Sequence, residues 1–317
     1  MNMSAVAAAS RFEKQDLVRI IPFSLMHIGC LAVFLVGVSW IAVFVAMLVY
    51  FVRVFALTAF YHRYFSHRAF KTSRWFQFVG ALVGNAAVQR GPIWWAAHHR
   101  DHHRHSDCGA DVHSPHVHGF WWSHMCWFLC RENYELERRG LKDLWRFPEL
   151  RFLDRFEFVS PIVLAISLFA LGAGLEFWMP QLGTNGWQMF VWAFLVSTVL
   201  LYHVTYAINS LAHTLGTRRF PTGDQSRNNF WLALLTFGEG WHNNHHYFPS
   251  SARQGFYWWE VDITYYVLLV LSWMGIVWDL RPVPQRVLDE GRDIALTSQA
   301  GSPRVEQPLS PSARSDA

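Results

Sequence analysis

The sequence predicts an all-α integral membrane protein: four transmembrane helices, in two hairpins, carrying a cytoplasmic helical cap rich in histidine. Three observations predict it. The 317 residues are 52% hydrophobic and only 16% charged, whereas soluble domains carry about a quarter charged residues. The apolar residues fall into two long blocks, each with a turn signal near its middle. The seventeen histidines avoid the middles of the spans, apart from His27 and His203, and gather just past the block ends.

Each element follows in order. Residues 1–20 read as a cytoplasmic tail. Arg11, Lys14 and Arg19 precede the first apolar run, and no small-residue cleavage site follows it, so the run is a span and not a removable signal. Residues 21–61 are apolar, with His27 and Arg53 as the basic interruptions. At ~1.5 Å per residue the block measures ~60 Å, twice a hydrocarbon core. It therefore holds transmembrane helices 1 and 2, turning at Gly37-Val38-Ser39. Residues 62–156 form a cytoplasmic segment in which Trp75–Ala87 and His118–Leu129 read as interfacial or buried helices, too short to span. Residues 157–211 hold transmembrane helices 3 and 4, Phe158–Phe177 and Trp187–Ser210, with the turn at 182–186. Residues 212–284 form a second cytoplasmic segment. Its Val261–Val277 stretch is apolar enough to span, but Glu260, Asp262 and Asp279 bound it, and a helix at the interface is the preferred reading. Residues 285–317 are rich in Ser, Arg, Pro, Gln and Asp and read as a disordered tail. Lys and Arg are absent from both short turns and frequent elsewhere, which puts both termini in the cytoplasm.

The charge of +4 is modest and its basic residues flank apolar segments, which argues against nucleic acid. The four cysteines have neither metal-site spacing nor disulfide density and read as packing thiols.

Four clusters carry the chemistry. His62 and His67 continue span two. His98, His99, His102, His103 and His105 form the second cluster. Asn209 and His213 continue span four. His242, His245 and His246 form the last. Residues three and four apart share a helix face, so His99 meets His102 and His103, and His242 meets His245 and His246. His62 and His67, five apart, need a helix end or a distortion to converge. Imidazole is a ligand for iron, zinc, copper and nickel. Nine ligands (His62, His67, His99, His102, His103, His213, His242, His245, His246) exceed the capacity of one ion and suit two. Structural zinc sites favour four ligands, usually with Cys, and soluble di-iron bundles favour carboxylates. An all-histidine pair beside a membrane points to non-haem iron and oxygen chemistry. His98 falls outside the spacing pattern. His105, His113, His116, His118 and His124 read as supporting or surface groups, and His27 and His203 as facing the bundle.

The motifs HRYFSH, HRDHHRHSD and HNNHHYFPSSAR resemble the three histidine boxes of the membrane fatty-acid desaturase family, in its acyl-CoA (stearoyl-type) Δ9 branch, and NSLAH resembles that branch's additional ligand motif. The resemblance runs from about Phe55 to Pro284, with the motifs in order. It implies that His62, His67, His99, His103 and His245 bind one iron (Fe2+/Fe3+), and that His102, His213, His242 and His246 bind the other, with Asn209 holding a water beside it. It implies an O2-dependent reaction that makes a cis double bond in a fatty acyl chain, and a bacterial inner membrane as its location. It assigns Trp95 and Thr205 to the kink of a substrate tunnel. Two departures concern the acyl carrier. Ala97-His98 and Val117-His118 stand where animal acyl-CoA members have charged residues that handle CoA, so an acyl chain on a phospholipid, or CoA held by Arg90 or Arg100, is open.

No iron–sulfur or nucleotide motif accompanies the boxes. Electrons are therefore expected from a separate ferredoxin, rubredoxin or cytochrome b5-type protein with its reductase, on a basic cytoplasmic face. Two other readings compete. A membrane di-iron alkyl or acyl hydroxylase would use similar boxes and yield an alcohol. A metal transporter would set its ligands near mid-membrane, and these lie beyond the span ends.

Overall fold

A computed structural model gives the structure of the chain and describes residues 16–134 and 141–299. Residues 1–15 and 300–317, to which most of both predicted tails belong, lie outside the described residues. The fold is mainly helical. In chain order come α1 (Leu17–Val36), α2 (Trp40–Ser66), α3 (Arg74–Asn85), α4 (Pro92–His105), α5 (Val159–Trp178), α6 (Gly186–His213), α7 (His242–Tyr247), α8 (Ile263–Trp273) and α9 (Gln285–Gln299), with shorter helical turns between them. Of these, α1, α2, α5 and α6 are long and apolar enough to cross a membrane.

Local chemistry sets the ends. The Asp16 carboxylate accepts from Val18 N–H at the start of α1. Gly37 ends α1 at φ +71°, a conformation costly for residues with a Cβ. Two residues later the Ser39 hydroxyl accepts from Ala42 N–H and starts α2. Asn185 and Gln188 form a capping box at the head of α6. α4 opens with Pro92, and its first free N–H groups, on Ile93 and Trp94, donate to Asp154 Oδ1 at 3.1 and 2.9 Å. A carboxylate 60 residues away thus anchors the helix that carries the second histidine cluster.

α6 is the hub. α1, α2 and α5 all pack on it, and its apolar window is 61% buried where that of α1 is 0%. Where α5 crosses the head of α6, a Cβ on Gly172 would lie 2.4 Å from Asn185 O, so only glycine allows the approach. Beneath the spans, Tyr50, Leu57, Phe60, Tyr61, Phe65, Ile93 and Leu150 form one buried cluster that joins α2 to α4.

The structure departs from the sequence reading in several places. α1 begins at Leu17, four residues early, and α2 and α6 run on to Ser66 and His213, carrying histidines beyond their apolar stretches. Residues 115–129 are not one helix. They break into a turn at Pro115–His118, a π-wound turn at Trp122–Cys126 and a 3₁₀ turn at Trp127–Leu129. The Val261–Val277 stretch yields α8, eleven residues or about 16 Å long, well short of a hydrocarbon core. Val277–Trp278 instead pairs antiparallel with Lys71–Thr72, a two-stranded exception to the all-α expectation. The predicted disordered tail is a correction: residues 285–299 are helical and docked. Val287 is fully buried, Leu288 and Ile294 pack on the Phe220, Phe256 and Tyr257 cluster, and Leu288 O accepts from Tyr257 Oη at 2.8 Å. An apolar stripe within a polar average supplied the docking face.

Candidate metal centre

The last eleven residues of α2, Ala56–Ser66, are wound as a π-helix, a rare form found mostly as single turns at functional sites. Its i→i+5 pattern matches the awkward spacing of the first pair: His67 N–H donates to His62 O at 3.2 Å, and the two rings lie 4.8 Å apart. α4 supplies His99, His102 and His103. α6 ends at His213. α7 supplies His242, His245 and His246, and its two central side chains lock it in place. Asn243 Oδ1 accepts from Arg219 and Phe220 N–H at 2.8 Å each, and Asn244 Oδ1 accepts from Asn228 Nδ2 at 2.8 Å.

The nine imidazoles converge in two adjacent groups, His62/His67/His99/His103/His245 and His102/His213/His242/His246. Within each, the candidate donor atoms all lie within 4.8 Å of one another. In the first, His62 Nε2 is 3.0 Å from His245 Nε2, which is 2.9 Å from His103 Nε2, and His67 Nε2 is 2.8 Å from His99 Nε2. In the second, His213 and His242 Nε2 are 3.0 Å apart. The groups adjoin where the His103 and His246 rings lie 4.4 Å apart.

Carboxylates fix the tautomers. His102 Nδ1 lies 2.9 Å from Asp111, His213 Nδ1 2.8 Å from Asp107 and His246 Nδ1 2.6 Å from Asp224, and His62 Nδ1 pairs with Glu239. A neutral imidazole has one N–H. Given to the carboxylate, it leaves a bare Nε2 lone pair facing the other rings. His246 Nε2 is buried without a partner. Lone pairs gathered face to face without protons are unfavourable unless a cation sits among them, and this donor set fits two metal ions. Burial and the neighbouring imidazoles push His67, His99, His103, His242 and His245 well below the ordinary histidine value. Burial takes His246 to about 4 against the pull of Asp224. Burial would raise Asp107, Asp111 and Asp224, but their histidine partners outweigh it and hold all three below the usual carboxylate range. At neutral pH those six imidazoles are thus neutral, as ligands must be.

Sequence reasoning missed these four carboxylates. Asp107 and Asp111 follow the second cluster closely and were within reach. Asp224 and Glu239 carry no local signal. It also missed Arg63, fully buried, which bridges Glu239 and Asp262 at 2.9 Å each. The supporting histidines act on the scaffold: His116 Nε2–H donates to His213 O and His118 Nε2–H to Asp111 O, each at 2.8 Å, and His113 joins His102 around Asp111. The His98 ring meets Trp94 at a tilt and Trp127 edge-on and belongs to neither group.

A cavity of about 340 Å³ is lined in part by His62, His99, His102 and His242. Trp95, Thr205 and Asn209 all line it. Trp95 stacks on His99 at 5.0 Å, and Thr205 Oγ1 accepts from Gln89 Nε2 at 2.6 Å. Neither alternative CoA ligand is uncommitted: Arg90 pairs with Glu157 at 3.0 Å and Arg100 with Asp143 at 2.8 Å.

Residues 38–277 match the family described as Fatty acid desaturase. Among curated relatives, the sn-1 stearoyl-lipid 9-desaturase of Anabaena variabilis is 38% identical over 259 residues, 81% of this chain and 90% of that protein. The Acyl-CoA 5-desaturase of Anemone leveillei is 38% identical over 277 residues, covering 86% and 81%. The chloroplastic palmitoyl-monogalactosyldiacylglycerol delta-7 desaturase of Arabidopsis thaliana is 39% identical over 247 residues, 77% of this chain and 63% of that protein.

Proposed function

The chain belongs to the fatty acid desaturase family, and on that premise we propose that it is an O2-dependent di-iron enzyme that introduces a cis double bond, at Δ9, into a saturated acyl chain carried as acyl-CoA or acyl-lipid. The carrying observation is the convergence of nine imidazoles, five buried and four half-buried, four of the nine held in one tautomer by carboxylates, beside a cavity that some of them line.

His62, His67, His99, His103 and His245 hold one iron. His102, His213, His242 and His246 hold the other, and Asn209 holds a water beside it. When bound, the two irons let O2 and two electrons supply the oxidising power that an unactivated C–H bond demands. The protein does the rest. Asp107, Asp111, Asp224 and Glu239 keep the Nδ1 protons and aim Nε2 inward. Trp95 and Thr205 shape the tunnel, so that one pair of methylenes lies beside the centre and water is kept from it. The named relatives split between acyl-lipid and acyl-CoA substrates, and both carriers stay within this reading.

The four apolar helices form two hairpins in a bacterial inner membrane, the histidine-bearing parts form a cytoplasmic cap, and both termini are cytoplasmic. α8, too short to span, lies at the interface. A ferredoxin, rubredoxin or cytochrome b5-type donor docks on the basic cytoplasmic face. The test is expression in a host lacking unsaturated fatty acids, with the double bond located by mass spectrometry. A Δ9 cis-alkene of unchanged length supports the reading. An alcohol product replaces it with the hydroxylase.

A further inference from the structure

We propose that the cavity takes its acyl chain sideways from the bilayer, through a door formed by the first half of α1, so that its substrate is a chain esterified to a membrane lipid. The inference rests on the desaturase reading above and narrows its substrate.

α1 is a cavity wall whose outer face no described residue covers. Val18, Arg19, Pro22, Phe23 and Met26 line the cavity, while Leu17, Ile21, Leu25 and Ile28 on the same helix are more than half exposed. Residues 17–29 contain no buried residue. In a membrane, lipid covers that outer face, and one helix thickness separates acyl tails from the cavity.

The helix is also built to bend. Pro22 lacks the N–H that would tie it to Val18 O. At Cys30–Ala32 the winding tightens to 3₁₀, which in mid-helix marks a hinge. Beyond that point Ala32, Val33 and Val36 pack into the core of the bundle. Of residues 17–29 that core also takes Met26, and Gly29 lies close to Leu195, so the loosely held part of α1 is the stretch before them.

A few contacts hold the free end. Asp16 N–H donates to Leu129 O at 3.0 Å. Phe23 touches Phe128 and Tyr202, with ring centroids 5.8 and 5.9 Å away. His27 Nε2 meets His203 Nε2 at 3.1 Å. That last bond is directional: His27 Nδ1–H is committed to Phe23 O at 2.7 Å, so His203 is the donor, and His203 Nδ1 in turn accepts from His124 at 3.1 Å. Apart from Met26, which packs on the bundle core, these are polar and aromatic contacts.

The mouth argues for the carrier. Arg19 and Arg90 lie 3.2 and 3.1 Å from the centroid of the Tyr134 ring, which at such distances puts them on opposite faces. Arg19 pairs with Asp16 at 2.8 Å, Arg90 with Glu157 at 3.0 Å, and Tyr134 Oη–H donates to Glu157 at 2.9 Å. Among the described residues here, two cations face two anions, and the charge is spent internally. CoA, with several phosphates, needs cations to spare. A lipid ester needs only an apolar slot open to the bilayer, and the wall of Val18, Pro22 and Phe23 offers that.

The test locks the door. His27→Cys/His203→Cys, neither residue lining the cavity, is reconstituted with the donor system in liposomes and treated with a cleavable bis-methanethiosulfonate. Desaturation of stearoyl chains on phospholipid falls at least tenfold on cross-linking and returns on reduction, and the wild-type chain treated alike keeps its rate. Unchanged turnover in the cross-linked protein overturns the door. With labelled substrates, the double bond arises in the lipid-borne chain. Label desaturated on stearoyl-CoA, with no acyl transfer to lipid, overturns the carrier. Nitroxides at Leu25→Cys and Phe177→Cys, with Cys108 replaced by serine, give a readout independent of catalysis and of the cysteine pair's folding. The expected distance distribution is broad or two-peaked, and one narrow peak overturns the door. If the wild type desaturates neither carrier while the labels show two positions, the desaturase reading fails and the door stands.

Discussion

Asp224→Asn isolates one carboxylate's contribution to the metal centre. Asp224 Oδ2 accepts from His246 Nδ1–H at 2.6 Å, and its other oxygen accepts from Ser226 N–H at 2.9 Å. The His246 side chain is 1% exposed and that of Asp224 10%, so water cannot replace the bond. A hydrogen bond to a charged group contributes about 1.5–3 kcal/mol, and loss of such a partner behind a ligating histidine typically weakens metal binding about 10- to 100-fold. Since ~1.4 kcal/mol is tenfold, the two ranges agree. The amide keeps an acceptor oxygen without the charge, so Asp224→Asn sits near tenfold and Asp224→Ala near a hundredfold. The assay is chelator titration of the purified protein, with metal per chain read by plasma mass spectrometry. One ion, that of the four-histidine group, leaves at about a tenth of the wild-type chelator concentration, and the five-histidine group keeps its own. Asp101→Asn, whose side chain is 42% exposed and pairs only with surface groups at 3.3 Å, serves as control. A variant that releases both ions together, or holds both as the wild type does, refutes the tautomer argument.

His102→Ala and His246→Ala abolish desaturation while membrane insertion, followed by fractionation, is unchanged; wild-type unsaturation in either overturns the ligand assignment. Thr205→Phe fills the cavity beside Gln89 and shifts the double bond or shortens the accepted chain, which product mass spectrometry reads; an unchanged product profile refutes the tunnel. Burial raises Asp154 to about 6, against two backbone N–H donors that pull it down, and its unfolded value is about 3.9. The folded chain therefore holds that proton more tightly, and the resulting stability is full below about pH 4 and lost as pH rises through 6. Asp154→Asn keeps an oxygen for Ile93 and Trp94 and removes the loss, so its melting temperature gains on the wild type from pH 4 to 7; a constant difference refutes the assignment.

Most of this protein that sequence could disclose was local. The four long apolar runs were legible because a membrane-length stretch of apolar residues needs no partner to be recognised. His99, His102 and His103, and His242, His245 and His246, were legible because helical periodicity puts them on one face. The His62–His67 spacing announced a distortion, and the π-winding of Ala56–Ser66 is its form. Residues 285–299 failed for a related reason: an average over a polar stretch hid the stripe of Val287, Leu288 and Ile294.

By itself, then, the sequence determined which helices are apolar enough to span, which imidazoles are candidate ligands and in what order they arrive. The resemblance of its motifs implied the partition into groups of five and four, and the folded chain brings those groups together; only the tertiary structure decided the carboxylates behind the rings, the placing of Arg63 between Glu239 and Asp262, and the cavity lined by four of the histidines. The physical reason is range. Backbone winding and hydrophobic period are set by neighbours within a few residues. A buried proton at His246 Nδ1, in contrast, is owned by a carboxylate 22 residues earlier in the chain, and at His213 by one 106 residues earlier, distances over which sequence carries no geometric information until the chain has folded.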